Sequence, residues 1–226
     1  EITMCGICGF AGAGDVDVLA FMNEAMIHRG PDAGGLWHDA QQAVYLGHRR
    51  LSIIDLSTGQ QPLYNEDRSV CVVFNGEIYN FQELIPELQA LGHVFRTRSD
   101  TEVIVHAWEA WGEACVDRLR GMFAFAIWDE RQQTLFLARD RLGVKPLFYF
   151  RSARALAFAS ELGAIRDVPG FPRELDPVAL GAYFRVGAVP DWACVYPGVR
   201  KLPPGHWIRF ELDGAGGAEP TLYWDL

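Results

Sequence analysis

The amino-acid sequence predicts an α+β fold in which two antiparallel sheets are stacked, with helices on the outside. Two segments, 122–140 and 146–160, each contain two apolar runs around a polar turn, the pattern of a β-hairpin. Helical periodicity falls in separate segments and does not alternate with the strands, which disfavours a parallel α/β sheet. Antiparallel strands that are apolar on both faces must be covered on both faces, and stacked sheets with outer helices achieve this.

The first third of the chain is predicted to contain strands and one helix. Residues 5–11 are apolar enough for a short buried strand, and 15–27 follow an amphipathic helical pattern that begins at an Asp cap. The Gly/Pro-rich segment HRGPDAGG, 28–35, is predicted to be a loop. Three further strands are predicted, at 36–39, 43–54 and 70–75.

Helices dominate the middle of the chain. Residues 81–91 are predicted to be helical, and Gly92 suits the position just past a helix end. The pair Ser99 and Glu102 matches a capping box, and apolar residues recur every four positions after it, along one helix face. The remaining predicted elements are a helix and a strand, at 177–186 and 206–212.

Composition and charge restrict the classes of function. The 226 residues suffice for one large domain or two small ones, and the net charge of −9 makes nucleic acid and anionic membranes poor partners. No apolar stretch approaches the roughly 18 residues of a membrane span. Five cysteines, an odd number, indicate a reducing compartment, so we expect a cytoplasmic protein. Cys5 and Cys8 form C-x-x-C without a second ligand pair, so no metal site is predicted.

Two polar segments could carry chemistry, although each has a plainer interpretation. Asn75-Gly76 is typical of a hairpin turn, which the local sequence favours; alternatively, the Asn amide and the Gly N–H could stabilise an oxyanion. Asp100 could simply favour the helix dipole or could receive a substrate ammonium group. HRGPD is interpreted as loop architecture, and the charges of RDRLGVKPLFYF as hairpin salt bridges.

Arg49 and Arg50 adjoin an apolar strand. Side chains alternate along a strand, so only one of the two should face the core or a cleft. An inward guanidinium needs an anion, and a substrate carboxylate would serve. A partly exposed pair is the alternative.

These residues belong to a set of motifs, in order along the chain, that resembles the glutaminase domain of asparagine synthetases, a class II glutamine amidotransferase domain. The resemblance covers nearly the whole chain, from Cys5 to Trp224. The motifs are CGI, HRGPD, RLSIID, QPL, NGEIYN, SD, RDRLGVKPLFY and KLPPGH.

The resemblance implies an N-terminal nucleophile hydrolase fold, a four-layer αββα sandwich, and hydrolysis of the glutamine side-chain amide to glutamate and ammonia through a cysteine thioester. Cys5 takes the position of the nucleophile, and the cysteine's own α-amine that of the base. Asn75 and Gly76 fall on the oxyanion donors. The substrate-binding positions are Arg50, which meets the α-carboxylate, Leu51, Ser52, Ile53, Ile54, Glu77 and Asp100.

The resemblance also implies a partner, since asparagine synthetases carry an ATP-dependent synthetase domain that accepts the ammonia. No cofactor is expected in the glutaminase domain; ATP and Mg²⁺ belong to the synthetase domain, whose S-G-G-x-D-S motif this sequence lacks. Whether the chain forms a homodimer stays open. Two alternatives are a non-hydrolysing binding or regulatory module of the same fold and the glutaminase half of another class II amidotransferase.

Residues 1–4 bear on this chemistry. The glutaminase domain is expected to span 5–226, with 1–4 a leader that is either an expression remnant or a propeptide. While Met4 acylates the nitrogen of Cys5, that nitrogen is an amide and not a base. A chain with residues 1–4 attached is therefore expected to be a poor glutaminase.

Overall fold

The computed structural model describes residues 5–12, 14–51, 59–152, 155–190, 193–212 and 219–226. Its strands are β1 (Gly6–Ala11), β2 (Ala33–Asp39), β3 (Val44–Arg50), β4 (Leu63–Tyr64), β5 (Val70–Ile78), β6 (Gly121–Asp129), β7 (Thr134–Arg139), β8 (Phe148–Arg151), β9 (Leu156–Ala159), β10 (Val199–Lys201), β11 (His206–Glu211) and β12 (Thr221–Leu222). Its α-helices are α1 (Val16–Glu24), α2 (Phe81–Ala90), α3 (Asp100–Trp111), α4 (Cys115–Arg118), α5 (Leu162–Ile165) and α6 (Pro177–Val186). Among the described helices, none has the length and apolar character to cross a membrane.

The strands form two six-stranded sheets. The first has the order β10-β8-β9-β1-β3-β2 and the second β12-β11-β7-β6-β5-β4. Neighbouring named strands pair antiparallel throughout the described chain. The strand β1 lies inside the first sheet between β9 and β3, so the chain segment that begins at Cys5 is held on both sides.

Three apolar clusters bind the layers together. Between the sheets, side chains such as Ile7, Leu46 and Val73 are buried against one another. The outer face of the second sheet packs on α2 and α3, and the outer face of the first sheet packs on α1 and α5. The result is a four-layer αββα sandwich, which confirms the predicted fold class.

Most predicted elements are present, with shifted ends. The strand predicted at 5–11, both hairpins, the helices at 81–91 and 177–186 and the strand at 206–212 are confirmed. The first helix ends at Glu24, although turns continue it to residue 29. The predicted loop 28–35 is partly wrong, since β2 begins at Ala33 because its residues pair with β3. The strand predicted at 43–54 begins at Val44 and ends at Arg50.

The capping box before α3 is only half formed. Ser99 accepts a hydrogen bond from the Thr101 N–H, as predicted. The Glu102 carboxylate does not reach back to the Ser99 N–H. It accepts instead from the N–H groups of Arg96 and Thr97, at 2.7 Å each, so it orders the segment before the helix.

Candidate active site

A pocket opens where the two sheets meet the start of α3. The predicted residues that line it are Cys5, Arg50, Leu51, Gly76, Glu77 and Asp100. They come from the start of β1, the end of β3, the end of β5 and the first turn of α3. Sequence positions almost a hundred residues apart thus converge on one cleft.

Cys5 is held in place by main-chain contacts. The Arg29 guanidinium donates to the Cys5 carbonyl oxygen at 3.1 Å and is itself anchored by Glu161. The Leu51 N–H donates to Cys5 Sγ at 3.3 Å, and the thiol lies 3.6 Å from the Leu51 carbonyl oxygen. The main chain of Leu51 therefore orients the thiol at the edge of the pocket, while Arg29 fixes the Cys5 carbonyl group.

The thiol needs help to lose its proton. Burial raises the pKa of Cys5, while the hydrogen bond from Leu51 and the charges of Arg50 and Lys145 act in the opposite direction. The net direction is upward, so at neutral pH the sulfur is a thiol, and a nucleophilic role requires a general base.

The two adjacent arginines diverge as strand alternation predicts. The Arg49 guanidinium turns to α1, where it donates to the Asn23 carbonyl oxygen at 3.0 Å and pairs with Glu24. Arg50 is buried and lines the pocket. Arg50 thus supplies positive charge at the cleft, and the alternative of a partly exposed pair is wrong.

Two carboxylates face the pocket from its other side. Asp100 Oδ2 accepts from the Ile78 N–H at 2.8 Å, which ties α3 to the end of β5. Burial raises the pKa of Asp100, and the nearby charge of Glu77 raises it further, against hydrogen bonds that lower it. A cation placed between these carboxylates would relieve that repulsion.

The prediction of a hairpin turn at Asn75-Gly76, which the local sequence favours, is wrong. Both residues lie inside β5, where they pair with Ala124 and Phe123 of β6. Tertiary pairing overrides the local turn signal because β5 continues to Ile78. A Cβ on Gly76 would lie 2.1 Å from the Met122 carbonyl oxygen, and its φ is +156°, so the close approach of the strands requires glycine.

Beyond its short pairing with β4, the edge of β5 that faces away from β6 directs amide groups toward the pocket. Asp140 engages both main-chain groups of Phe123, so the Gly76–Phe123 pair is a non-hydrogen-bonded one and the Gly76 N–H points away from β6. On the same edge, the Phe74 and Ile78 N–H groups donate to Gln61 and Asp100. The Gly76 N–H lies between them and faces the lined cleft.

Asn75 itself is 1% exposed and sits behind the lining residues Phe74 and Gly76. Its Nδ2 has no hydrogen-bond partner among the residues that the structure describes. Buried amide donors are normally satisfied, so this one calls for an acceptor that the described residues do not supply.

Sequence reasoning missed three residues near the thiol. Lys145, assigned to a hairpin salt bridge, is buried and its charge acts on both Cys5 and Glu77. Arg29, assigned to loop architecture, orients Cys5. His48 lines the pocket, but burial and the charge of Arg50 lower its pKa to about 3, so it is a poor base at neutral pH. No local pattern around these positions signals their proximity, which arises from sheet pairing and loop packing.

Three predicted substrate-binding residues lie outside the described part of the chain: Ser52, Ile53 and Ile54. The charges of the motif RDRLGVKPLFYF are predicted to form hairpin salt bridges, but the Asp140 carboxylate has a main-chain role. Asp140 accepts instead from the Leu142, Val144 and Lys145 N–H groups. The carboxylate is buried where successive amides converge, and this fixes the loop that carries Lys145.

The sandwich is the fold of N-terminal nucleophile hydrolases, with Cys5 at the start of an inner strand. Two solved structures have this fold: glutamine phosphoribosylpyrophosphate amidotransferase from B. subtilis with ADP and GMP, at a TM-score of 0.67 and 22% identity, and an allosteric regulatory enzyme of purine biosynthesis, at 0.67 and 21%. Each covers 97% of this chain, which covers 49% of each of them.

The sequence profile of the family described as the glutamine amidotransferase domain matches residues 4–224, and the chain belongs to this family. Glutamine-hydrolyzing asparagine synthetase 3 of Bacillus subtilis is 38% identical over 220 residues, which are 93% of this chain and 35% of that protein. Asparagine synthetase 1 of the same organism is 40% identical over 218 residues, and the Zea mays enzyme is 42% identical over 170. The chain spans about a third of the length of these relatives.

Proposed function

We propose that this chain hydrolyses the side-chain amide of glutamine to glutamate and ammonia, with Cys5 as nucleophile. The observation that carries the proposal is the convergence of a thiol, a buried arginine and two carboxylates on one cleft. The unpaired amide donor of Asn75 lies behind the residues that line this cleft. A free amino acid carries one carboxylate and one ammonium group, and the cleft offers a partner of opposite charge for each.

Substrate recognition divides between the two walls of the cleft. Arg50 binds the α-carboxylate, and Asp100 with Glu77 binds the α-ammonium group. Burial raises the pKa of Asp100 and the charge of Glu77 raises it further; bound glutamine would reduce the repulsion between the two carboxylates. Leu51 contacts the thiol, and we propose that residues 52–54, which follow it in the sequence, also bind the substrate.

The reaction proceeds through a thioester. Cys5 Sγ attacks the side-chain carbonyl carbon of glutamine, and the tetrahedral intermediate carries negative charge on oxygen. Asn75 Nδ2 and the Gly76 N–H donate to that oxygen, in the manner of an oxyanion hole. Collapse of the intermediate expels ammonia, and water then hydrolyses the thioester to glutamate.

The α-amine of Cys5 is the base that we propose for the thiol proton. Its reference pKa of about 7.7–8.0 lies near working pH. His48, with a pKa of about 3, is a much weaker acceptor. Covalent geometry keeps the amine of a cysteine close to its own sulfur, so no further side chain is needed.

The ammonia is proposed to pass to a synthetase domain, with asparagine synthesis as the favoured pathway. This rests on relatives named glutamine-hydrolyzing asparagine synthetases, of which the chain covers about a third. ATP and Mg²⁺ would serve that domain, with no cofactor needed in this one. A reducing cytoplasm would suit the five free cysteines, and self-association into a homodimer stays an open part of the proposal.

A covalent trap tests the proposal directly. A diazoketone analogue of L-glutamine should label Cys5 alone, detected by peptide mass, and excess glutamine should protect against labelling. The D-enantiomer and the Cys5→Ala variant are the controls. Labelling without glutamate release would favour a non-hydrolysing module, and the absence of labelling in a form whose first residue is Cys5 would contradict the proposal.

A further inference from the structure

A second group of polar side chains lies away from the cleft, on the far part of α3. It combines two imidazoles and two carboxylates, from the β4–β5 turn, the segment after α2, and α3 itself: Glu66, His93, His106 and Glu109. One donor atom from each lies within 4.8 Å of the others. None of the four lines the pocket at Cys5.

The donor atoms are spaced for coordination rather than for hydrogen bonding. His93 Nδ1 lies 3.4 Å from a Glu66 oxygen and 3.7 Å from Glu109 Oε2. His106 Nδ1 lies 3.6 Å from the other Glu66 oxygen and 3.7 Å from Glu109 Oε2. These separations exceed the usual N–H···O range. Ligands placed tetrahedrally about 2.0–2.1 Å from Zn²⁺ are roughly 3.3–3.4 Å apart. The imidazole–carboxylate pairs are already close to this spacing, and the wider pairs, within 4.8 Å of one another, would draw together around the ion.

The most buried member of the cluster is unsatisfied. His106 is 1% exposed, and neither of its ring nitrogens has a hydrogen-bond partner within the described ranges. Glu109 Oε2 is likewise buried without a partner there. Buried polar atoms are rarely left in this state. A nitrogen and an oxygen that both offer lone pairs to the same point indicate a ligand that accepts electron pairs.

Neighbouring groups hold the carboxylates in a suitable orientation. Asn65 Nδ2 donates to Glu109 Oε1 at 2.8 Å, which leaves Oε2 directed at the imidazoles. The Val94 N–H donates to Glu66 Oε1 at 2.8 Å. Glu102 Oε1 lies 3.7 Å from His106 Nε2, on the side from which a carboxylate orients a metal-bound histidine.

We propose that Glu66, His93, His106 and Glu109 bind one Zn²⁺ ion. Two neutral imidazoles and two carboxylates form a neutral complex with a divalent ion, and nitrogen ligands favour Zn²⁺ over Mg²⁺ and Ca²⁺, which prefer oxygen. Four protein ligands close the coordination sphere, as in structural sites. The ion would join α3 to the β4–β5 turn and to the segment after α2, and so brace the helix whose first residue is Asp100.

An ion-pair cluster is the competing description. Burial opposes a charge on His106, but Glu102, Glu109 and Glu66 outweigh this and raise its pKa to about 9. A protonated His106 would then hold the carboxylates together without a metal. The two descriptions differ in whether added Zn²⁺ binds.

The test is a titration of metal-stripped protein, free of any affinity tag, with Zn²⁺ alone. We expect one Zn²⁺ per chain, retained through gel filtration, with a Kd below about 1 μM. Co²⁺ in place of Zn²⁺ should give the intense visible absorption of a four-coordinate site. The thermal midpoint should rise with Zn²⁺, because the ion binds only the folded arrangement.

Variants locate the ion. Loss of a residue that only orients a metal ligand weakens metal binding about 10–100-fold. Glu109→Gln and His93→Gln each remove a ligand and should weaken Zn²⁺ binding by more than this. His93 is partly exposed, so its replacement tests the site without disturbing the core. His206→Gln is the matched control and should bind normally. Cys5→Ala excludes the active-site thiol as the ligand.

Two outcomes would overturn the proposal: no Zn²⁺ bound by the wild-type protein, or Zn²⁺ binding that is unchanged in both Glu109→Gln and His93→Gln, whether or not Cys5→Ala abolishes it. Glutamine trapping at Cys5 does not depend on the cluster residues. Failure of the metal site is therefore distinguishable from failure of the proposed glutaminase.

Discussion

Arg50 and Arg49 provide a matched pair of residues for a test of substrate binding. Arg50→Ala leaves the substrate carboxylate unpaired in the cleft and should weaken glutamine binding by roughly 2–5 kcal/mol. Arg49→Ala removes contacts with Asn23 and Glu24 on α1 and should leave the affinity unchanged. Calorimetric titration with glutamine, on the Cys5→Ala background to prevent turnover, measures both. Equal affinities of the Cys5→Ala protein with and without Arg50→Ala would contradict the assignment.

The amide of Asn75 acts on charge that develops only in the transition state. Asn75→Ala should therefore lower kcat by about 10²–10³-fold with a smaller change in KM. Steady-state glutamate release by a form whose first residue is Cys5 measures both parameters, and circular dichroism controls for folding. A raised KM with an unchanged kcat would make Asn75 a ground-state binding residue instead.

The charge of Asp100 is predicted to lower the stability of the folded protein. Its pKa is raised by burial and by Glu77, so the folded protein binds more protons than the unfolded chain between the two pKa values. The free energy of unfolding therefore falls as pH rises through that interval, and above it the charged Asp100 remains destabilising. Asp100→Asn keeps an acceptor for the Ile78 N–H and removes the charge.

The variant should melt at a higher temperature than wild type at pH 7 in the absence of glutamine. The difference should shrink below about pH 3.9, where the aspartate of the unfolded chain is also protonated. The same variant, Asp100→Asn, should bind glutamine more weakly than wild type. Thermal melts across this pH range, paired with calorimetry, check both effects; a lower midpoint at pH 7 would contradict the sign.

At the scale of elements, the contact between β5 and β6 depends on one glycine. Gly76→Ala would place Cβ 2.1 Å from the Met122 carbonyl oxygen, so the strands must separate. Overpacking of this kind costs roughly 1–3 kcal/mol, and it would also displace the Gly76 N–H from the oxyanion. Gly163→Ala in α5 meets nothing within 4 Å and is the control. Urea midpoints and glutamate release check the effect, and an unchanged midpoint would be inconsistent with the close approach.

Local patterns predicted elements well where the pattern was long. The helices α2 and α3 and the β6–β7 hairpin have strong periodicity, and each formed where it was predicted. The turn predicted at Asn75-Gly76 is wrong because the local turn preference is outweighed by the pairing of nine β5 residues with β6. The short strands β4, β10 and β12 carry too few residues for any period, and tertiary pairing alone defines them.

At the scale of the whole molecule, the site arises from the stacking of two sheets and one helix. Pattern alone could nominate Arg50, Asn75 and Asp100 as polar residues at element ends. It could not bring them together, because β1, β3 and β5 meet only in the folded sandwich. The same holds for buried Lys145 and for partly buried Arg29, because their proximity to Cys5 depends on loops anchored by distant partners.

The fold also places Cys5 directly before the inner strand β1, at the edge of the pocket. Whether the Cys5 nitrogen is an amine or an amide therefore bears on the activity of the protein. When Met4 is attached, the nitrogen is an amide with no basic lone pair. Burial raises the pKa of the Cys5 thiol, and the histidine that lines the pocket, His48, is a weak base. Among the described lining residues, no other imidazole is present to accept the thiol proton. General-base catalysis contributes about 10²–10⁴-fold.

We therefore expect a protein whose first residue is Cys5 to release glutamate about 10²–10⁴-fold faster than one that carries residues 1–4. The two forms are prepared separately, and intact mass identifies the first residue of each before and after the assay. Melting curves of both forms control for folding, and the Cys5→Ala variant sets the background rate. The loss should fall mainly on kcat, because the base acts during thiol attack. Equal rates, with residues 1–4 still attached after the assay, would mean that the α-amine of Cys5 is not the base.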